Sequence, residues 1–422
     1  MKTDKKQVTD PAGVSSGRRK VLQAGAAGAL ALGFPSIVRA QSDAIKIGYL
    51  TPLTGFLGAL GGYAVMGKDI AVDEINAAGG VMGRKLEVMS EDSVNPATAA
   101  TKAQRMLERD GATVLIGEIN SASAKTIMQV AARNKRLFMS VGARSDVLRG
   151  ADCNRYTFHV DIPVTVMVNA VGLQLVRDNM MKGKKFFSLT SDYLFGNDLA
   201  KAAKAFFVAN GGNLIGDELV ATTATDFSPY LLKIRQARPD VVSTNLGGNQ
   251  VTNFVKQYAE FGLPYPVVGF NLNTADAWAA GDGNLSGVWP TSWHHDLDVP
   301  ASKAFVATFQ KKHGQPPENH AWIEYISFKM LAQAMNETKS TDTEKLIAYF
   351  EKETQFDVLK ARKAYFRSWD HQLMQEAYSF TVKPKGKAKD KYDFLQFSAA
   401  LPAPNQPLEL LATTKAQNTC VL

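Results

Sequence analysis

Three polar corners in the first half of the chain, each at the end of a predicted strand, carry residue types suited to binding a small molecule. They cover Thr51 to Gly55, Gly117 to Ser123 and Ser140 to Ser145, and each contains a glycine. In an open parallel sheet, ligands bind outside the carboxyl ends of the strands, where helix N-termini present unpaired N–H groups. The three corners therefore predict one wall of a binding pocket.

A strand, a helix and a second strand position the first of these corners. Apolar residues alternate with polar or small ones from Ile45 to Tyr49, which indicates a strand. Between Gly61 and Ala78 the apolar residues recur at helical spacing, and Leu86 to Val88 alternate again. A helix between two such strands predicts a βαβ unit with parallel strands. The same alternation continues to Ser140 and, after a pause near Tyr156, resumes from Thr165 to Phe270.

The opening unit resembles a known protein family. GYLTPLTG, then AVMGKDIAVDEINAAGGVMGRKLEV, then SEDSVNP resemble the start of periplasmic substrate-binding proteins of branched-chain amino-acid type ABC importers. Later segments follow the family's order over nearly the whole mature chain. The resemblance implies an α/β fold of two Rossmann-like lobes, each a parallel sheet flanked by helices, joined by a hinge (periplasmic binding protein type I). The INAAGGVMGRKLEV run is a signature of the fold and does not identify the ligand.

The first forty residues differ in kind from the rest. Early lysines, Arg18-Arg19, a modest apolar run and small residues at Val38 and Ala40 predict a secretory signal of twin-arginine type, cleaved after Ala40. A membrane anchor is the alternative, but glycines and Pro35 interrupt the apolar run. No lipoprotein cysteine box is found near the site, so we expect a protein free in the periplasm.

The formal net charge of +8 comes mostly from this signal. The chain has 48 basic and 40 acidic residues, and removing the signal's seven and two leaves 41 and 38. A lysine-rich run from Lys383 to Lys391 contains Pro and Gly, and no aromatic residue interleaves with its lysines. Single-strand nucleic-acid sites need such aromatics, so the run indicates a solvated loop. No nucleic-acid partner is predicted.

The mature chain of 382 residues, after removal of 40 from 422, exceeds what one hydrophobic core usually organises, so at least two domains are expected. In the resembled family the chain passes between the lobes several times. The resulting division is 1–40, export signal; 41–162, lobe 1, first part; 163–291, lobe 2, first part; 292–370, return to lobe 1; and 371–422, C-terminal segment of lobe 2 and tail.

Two cysteines, Cys153 and Cys420, lie far apart in the sequence. Export into an oxidising compartment favours a disulfide that ties the C-terminal tail to the first lobe, and two unrelated free thiols are the alternative. No CxxC or HExxH motif occurs, so no metal is predicted. No cofactor is predicted either.

The resemblance assigns ligand contacts to two corners of lobe 1. In the family this lobe holds the ligand carboxylate with backbone N–H groups and hydroxyls, as charge-assisted hydrogen bonds favour. Serine and asparagine at a strand-to-helix corner are equally good helix N-caps, so ordinary capping stays open. Arg144 could pair with a carboxylate or point to solvent. The matching residues are Asn120, Ser121, Ala122, Ser123, Ala143, Arg144 and Ser145.

The second lobe is expected to contribute Tyr193, Phe195, Gly248 and Asn271. Phe195 matches the position where the family's amino-acid binders usually carry Tyr before Gly. Those binders usually have an acidic residue in the corner occupied here by Asn271 and Asn273. Because burying an unpaired ammonium group costs several kcal/mol, the sequence favours a ligand with a carboxylate and no ammonium, such as an aromatic acid.

These observations predict the solute-binding component of an ABC importer that hands its ligand to a membrane permease, and a monomer. The alternatives are a branched-chain amino acid or short amide binder, and an exported sensor that delivers its ligand to a membrane receptor. No GxSxG elbow, phosphate loop or GxGxxG fingerprint occurs, so an enzyme is not predicted.

Overall fold

The computed structural model describes residues 44–422, so the predicted export signal and its cleavage site lie outside the described residues. The first sheet is parallel, in the order β2-β1-β3-β4-β5. Its strands are Ile45–Thr51 (β1), Leu86–Asp92 (β2), Val114–Gly117 (β3), Phe138–Ser140 (β4) and Thr157–His159 (β5). The helices between them are Gly58–Ala77 (α1), Pro96–Glu108 (α2) and Ser121–Arg133 (α3).

A second parallel sheet has the order β7-β6-β8-β9. Its strands are Lys185–Ser191 (β6), Asn213–Val220 (β7), Val241–Asn245 (β8) and Val267–Gly269 (β9). The helices around it are Val164–Arg177 (α4), Leu194–Ala209 (α5), Ser228–Ala237 (α6), Asn249–Phe261 (α7) and Thr274–Ala280 (α8).

The last third of the chain contains three helices and short antiparallel strands. The helices are Pro300–His313 (α9), Asn319–Thr338 (α10) and Thr343–Phe350 (α11). The strands are Trp289–Thr291 (β10), Tyr365–Phe366 (β11), Leu373–Met374 (β12), Tyr378–Val382 (β13) and Leu395–Phe397 (β14). β13 pairs with β10 and β14, and β11 pairs with β12.

The inner strands of each parallel sheet, such as β3 and β8, are buried on both faces, which explains why they are apolar. In β3, Val114 and Ile116 enter a core shared with α1, α9, α10 and α11, whereas Leu115 enters a core shared with α2 and α3. In β8, Val241 and Val242 likewise enter two different cores. We call the first sheet with α1–α3 and α9–α11 lobe 1, and the second sheet with α4–α8 lobe 2. The residue boundaries of the division 41–162, 163–291, 292–370 and 371–422 stay a prediction.

The disulfide between Cys153 and Cys420 is present, with a Cα–Cα distance of 5.6 Å. It closes a loop of 267 residues and ties the end of the chain to lobe 1, beside the short 3₁₀ turn Asp146–Arg149. Asn418 in the tail also donates a hydrogen bond from Nδ2 to the carbonyl of Arg149, at 3.2 Å. The tail therefore has a fixed position against lobe 1.

Candidate ligand-binding site

The strand-end corners of the two lobes meet around a cavity of about 20 Å³. A cavity of that size holds roughly one water molecule, so the lobes are closed. Gly248 illustrates how close they are, because a Cβ added to it would lie 2.2 Å from the carbonyl oxygen of Phe56. The lining residues are Leu57, Leu60, Ile119, Gly142, Arg144, Tyr193, Phe195, Gly247, Gly248, Asn271, Asn273 and His320.

Arg144 joins the two lobes at the centre of this site. Its side chain is only 8% exposed, and its Nε donates to Asp161 Oδ2 in lobe 1 at 2.6 Å. Its Nη1 donates across the cleft to the side-chain oxygens of Asn271, at 2.8 Å, and Asn273, at 3.1 Å. Nε is thus held by a carboxylate, and Nη1 contacts only the neutral amide oxygens of lobe 2. Nη2 donates to the amide oxygen of Asn319 in lobe 1 at 2.9 Å.

The surroundings of the asparagines contain acids that the sequence reasoning missed. Asp276 in the first turn of α8 accepts a hydrogen bond from Asn273 Nδ2 at 2.9 Å, and burial raises the pKa of its carboxyl group to about 6. Glu318 is fully buried and accepts from the backbone N–H of His320. The corner of Asn271 and Asn273 itself contains no acidic residue. Asp276, however, is hydrogen-bonded to Asn273, and Glu318 is buried nearby.

The sequence contains local features that place Asp276 and Glu318 at helix starts, but it gives no indication that His320 lines the cavity. Asp276 follows Asn273 by one helical turn, and Glu318 stands at the N-cap of α10, where its side chain accepts from two backbone N–H groups. His320 lines the cavity because α10 packs in lobe 1 with its N-terminus at the cleft. That tertiary placement could not be read from periodicity.

Five of the eleven predicted site residues line the cavity. They are Arg144, Tyr193, Phe195, Gly248 and Asn271. The ring of Tyr193 also meets that of Phe56 across the cleft, with centroids 5.2 Å apart.

The other six predicted residues make contacts within the protein. Asn120 Oδ1 accepts from the N–H groups of Ala122, at 2.9 Å, and Ser123, at 3.2 Å, and so caps α3. Ser121 Oγ accepts from the N–H of Ser145 at 3.3 Å, and Ser145 Oγ donates to Asp198. The carbonyl of Ala143 accepts from Arg149. The contacts of Asn120 agree with the capping alternative, and ligand contact by these six residues stays a prediction.

Asn120 and Ala122 do line a wider cleft of about 700 Å³. This cleft also touches Tyr193 and Asn249 of lobe 2, and Tyr193 belongs to both spaces. The wider cleft therefore adjoins the small cavity at Tyr193.

Replacing Asn120 by alanine is expected to lower the free energy of unfolding by about 1 kcal/mol, because the cap of α3 is lost. Asn120→Asp, which keeps a capping oxygen, should retain most of that stability. Urea denaturation of the three proteins measures the effect. An alanine variant with unchanged stability and impaired ligand binding would instead make Asn120 a ligand contact.

Two further findings concern residues 44–422. None of the helices in this range is long and apolar enough to cross a membrane. The same residues contain no group of three or more His, Cys, Asp or Glu side chains arranged to hold a metal ion.

Comparisons with known proteins agree with this architecture. A family described as "Periplasmic binding protein" matches residues 44–388. The "Leu/Ile/Val-binding protein homolog 7" of Brucella melitensis is 27% identical over 316 residues, which cover 71% of this chain and 78% of that protein. A solved periplasmic binding protein from Burkholderia mallei is 28% identical with a TM-score of 0.83, covering 90% of this chain and 99% of the other. A solute-binding protein from R. palustris, solved in complex with benzoate, is 22% identical with a TM-score of 0.77, covering 90% and 100%.

Proposed function

We propose, from the premise that the chain belongs to the periplasmic binding protein family, that it captures a small carboxylate-bearing ligand without an ammonium group, such as an aromatic acid. The chain is a periplasmic solute-binding protein of the ABC-transporter type. The finer proposal adds the ligand class, delivery to the membrane permease of an ABC importer, and action as a monomer. No catalytic role is proposed, because the family and fold are those of transporter binding proteins.

The observation that carries the ligand proposal is that only one nitrogen of the Arg144 guanidinium is bonded to a carboxylate. Asp161 occupies Nε, whereas Nη1 is bonded only to the amide oxygens of Asn271 and Asn273 in the other lobe. Separating the lobes breaks those two bonds and frees Nη1, while Nη2 keeps only the neutral amide oxygen of Asn319 in lobe 1. A carboxylate is a stronger acceptor than an amide, and a guanidinium edge matches its two oxygens. Arg144 is thus suited to hold a ligand carboxylate inside the cleft.

The rest of the lining suits an apolar body. Leu57, Leu60 and Ile119 of lobe 1 face Tyr193 and Phe195 of lobe 2 around the cavity. Ring-on-ring and ring-on-aliphatic contacts with these residues would bury an aromatic ligand, with the hydrophobic effect as the main gain. A solved protein of the same fold is a benzoate complex, which supports aromatic acids as one ligand class for this architecture.

Capture requires movement of the lobes. A cavity of about 20 Å³ cannot hold an aromatic acid, so the ligand enters an open form and is enclosed on closure. Because residues of both lobes contact it only in the closed form, ligand binding favours that form. The closed form would then present the surface that the permease binds.

Asp276 and Glu318 support one alternative, a branched-chain amino acid or short amide. Asp276 bonds Asn273, and Asn319 donates to Glu318 in the amide orientation that also accepts from Arg144. Neither acid lines the cavity in the closed form, but a rearranged Asn273 would bring Asp276 within reach of an ammonium group. The Leu/Ile/Val-binding name of the Brucella relative is consistent with this alternative.

A thermal-shift screen tests the proposed function. The exported protein, refolded from denaturant to remove any bound ligand, is heated with benzoate, leucine, valine, acetamide or succinate. A ligand at 100 times its Kd adds about 2.7 kcal/mol to the free energy of unfolding. Stabilisation by benzoate but not by leucine or valine is expected. Stabilisation by leucine or valine alone would reject the aromatic-acid proposal in favour of the amino-acid alternative.

A further inference from the structure

His320 lines the ligand cavity, and the carboxylate contact of Arg144 does not use it. It is the second residue of α10, its exposed fraction is 1%, and it shares the lining of the cavity with Arg144. Both residues belong to lobe 1, so they stay together when the lobes separate. Each nitrogen of an imidazole ring can donate or accept a hydrogen bond, depending on where the proton lies. The partners of the two nitrogens therefore decide what His320 offers to a ligand.

Glu318 determines which nitrogen of His320 carries the proton. Its Oε2 atom lies 3.2 Å from His320 Nδ1. The same carboxyl group accepts from the backbone N–H of Ala321 at 3.2 Å and from the side-chain amide of Asn319 at 2.8 Å. A carboxylate that accepts from several donors has no proton to give, so Nδ1 is the donor in this pair. A hydrogen bond of this kind fixes the tautomer of the ring.

The opposite nitrogen, Nε2, is then a bare acceptor. It has no hydrogen-bond partner within residues 44–422. The ring carbon next to it, Cδ2, lies beside Gly142, which also lines the cavity, because a Cβ added to Gly142 would be 3.4 Å from that carbon. The edge of the ring that carries Nε2 is therefore turned from Glu318 towards the cavity. A buried acceptor without a donor costs free energy, which a donor on the ligand recovers.

Consecutive hydrogen bonds join His320 to Arg144. In the orientation that satisfies both ends of its amide, Asn319 accepts from Arg144 Nη2 at 2.9 Å and donates to Glu318 at 2.8 Å. Glu318 in turn accepts from His320 Nδ1. One wall of the cavity thus presents a donor, the guanidinium, at one end of this series and an acceptor, Nε2, at the other.

We propose that the ligand is an aromatic acid with a hydroxyl group on its ring, and that His320 Nε2 accepts the hydrogen bond of that hydroxyl. The inference rests on the proposed function, in which Arg144 holds the carboxylate. A phenolic O–H supplies the missing donor without the cost of burying an ammonium group. A site with a buried acceptor discriminates against a ligand that lacks the donor, because the acceptor then stays unpaired.

Calorimetric titration of wild type with substituted benzoates tests the inference. The ligands are benzoate, its three hydroxybenzoate isomers and the three matching fluorobenzoates, in which fluorine has nearly the size of a hydroxyl but cannot donate. One hydroxybenzoate should bind about tenfold more tightly than benzoate and than the fluorobenzoate substituted at the same position. Benzoate that binds as tightly as every hydroxybenzoate would overturn the inference and leave the proposed function standing. Absence of binding by all seven acids would overturn both.

Two variants of His320 separate its acceptor from its bond to Glu318. The amide of His320→Asn reaches the position of Nδ1 and keeps a donor for Glu318, whereas the amide of His320→Gln reaches that of Nε2 and keeps an acceptor for the ligand. The quantity compared is the ratio of the benzoate Kd to the hydroxybenzoate Kd within each protein. This ratio should be about ten in wild type, fall to about one in His320→Asn, and stay well above one in His320→Gln.

A ratio near its wild-type value in His320→Asn would overturn the inference, because another group would then accept from the hydroxyl. If the affinities for benzoate and hydroxybenzoate fell together in that variant, His320 would be a further donor to the ligand carboxylate and not an acceptor. The comparison of hydroxybenzoates with fluorobenzoates on wild type decides the matter even if a variant fails to fold.

Discussion

The double substitution Arg144→Gln with Asp161→Asn is expected to weaken binding of a carboxylate ligand about 100-fold and to leave the fold intact. Two hydrogen bonds from a guanidinium to a carboxylate are each worth about 1.5–3 kcal/mol, and about 2.8 kcal/mol corresponds to 100-fold in Kd. Calorimetric titration with benzoate measures the loss.

Both residues are changed because Asp161 is almost fully buried. Arg144→Gln alone would leave an unpaired buried carboxylate, at a cost of about 3–5 kcal/mol. The asparagine in the double variant can still accept the hydrogen bond that Ile162 N–H donates to position 161 at 2.8 Å. Arg136→Gln, a change at an exposed arginine, is the matched control. Benzoate affinity retained in the folded double variant would remove Arg144 from the ligand contacts.

The substitution Glu324→Gln is expected to stabilise the protein at alkaline pH. Glu324 is fully buried in α10 beside Tyr49, and burial raises the pKa of its carboxyl group from 4.5 to about 8. As pH rises above 4.5 the unfolded chain releases this proton while the folded protein retains it, so wild type loses stability up to about pH 8. Glutamine carries no such proton. The free energy of unfolding of Glu324→Gln minus that of wild type should be near zero below pH 4.5 and reach about 3–5 kcal/mol above pH 8.

Urea denaturation between pH 4 and pH 9 measures this difference. Glu337→Gln is the control, because Glu337 is exposed on the same helix and should give a difference that does not vary with pH. Glu118, whose pKa burial raises to about 7, contributes a similar trend to both proteins. A Glu324→Gln variant less stable than wild type at pH 8 would contradict the account, by indicating that Lys68 stabilises the ionised carboxylate.

The parallel sheets, and several of the residues that line the cavity, could be predicted because local patterns encode them. Alternation and helical spacing identified the βαβ unit from Ile45 to Ser93 and the corners at the ends of β3 and β4. The family resemblance assigned ligand contacts to these corners and to corners of the second lobe. The structure has parallel sheets flanked by helices, as predicted. Relatives of the same fold confirm the family.

The features of the site and fold that depend on tertiary packing could not be predicted from the sequence. Asn120 serves as the cap of α3, and its residue type alone does not distinguish capping from ligand contact. His320 lines the cavity, with Glu318 next to it in sequence, only because α10 packs in lobe 1. The seven-residue helix α8 that carries Asp276 is too short for a clear periodic signal. The short antiparallel strands after β9 depend on pairing between distant segments, such as β10 with β13.

Titration with benzoate and benzamide, which differ in the carboxylate and little in shape, tests the central claim most directly. If the guanidinium of Arg144 holds a carboxylate in the cleft, benzoate binds and benzamide binds at least about 100-fold more weakly. Equal affinity for benzoate and benzamide would contradict the claim. Binding of leucine without binding of benzoate would contradict it as well. The latter result would mean that Asp276 or Glu318 neutralises a ligand ammonium group.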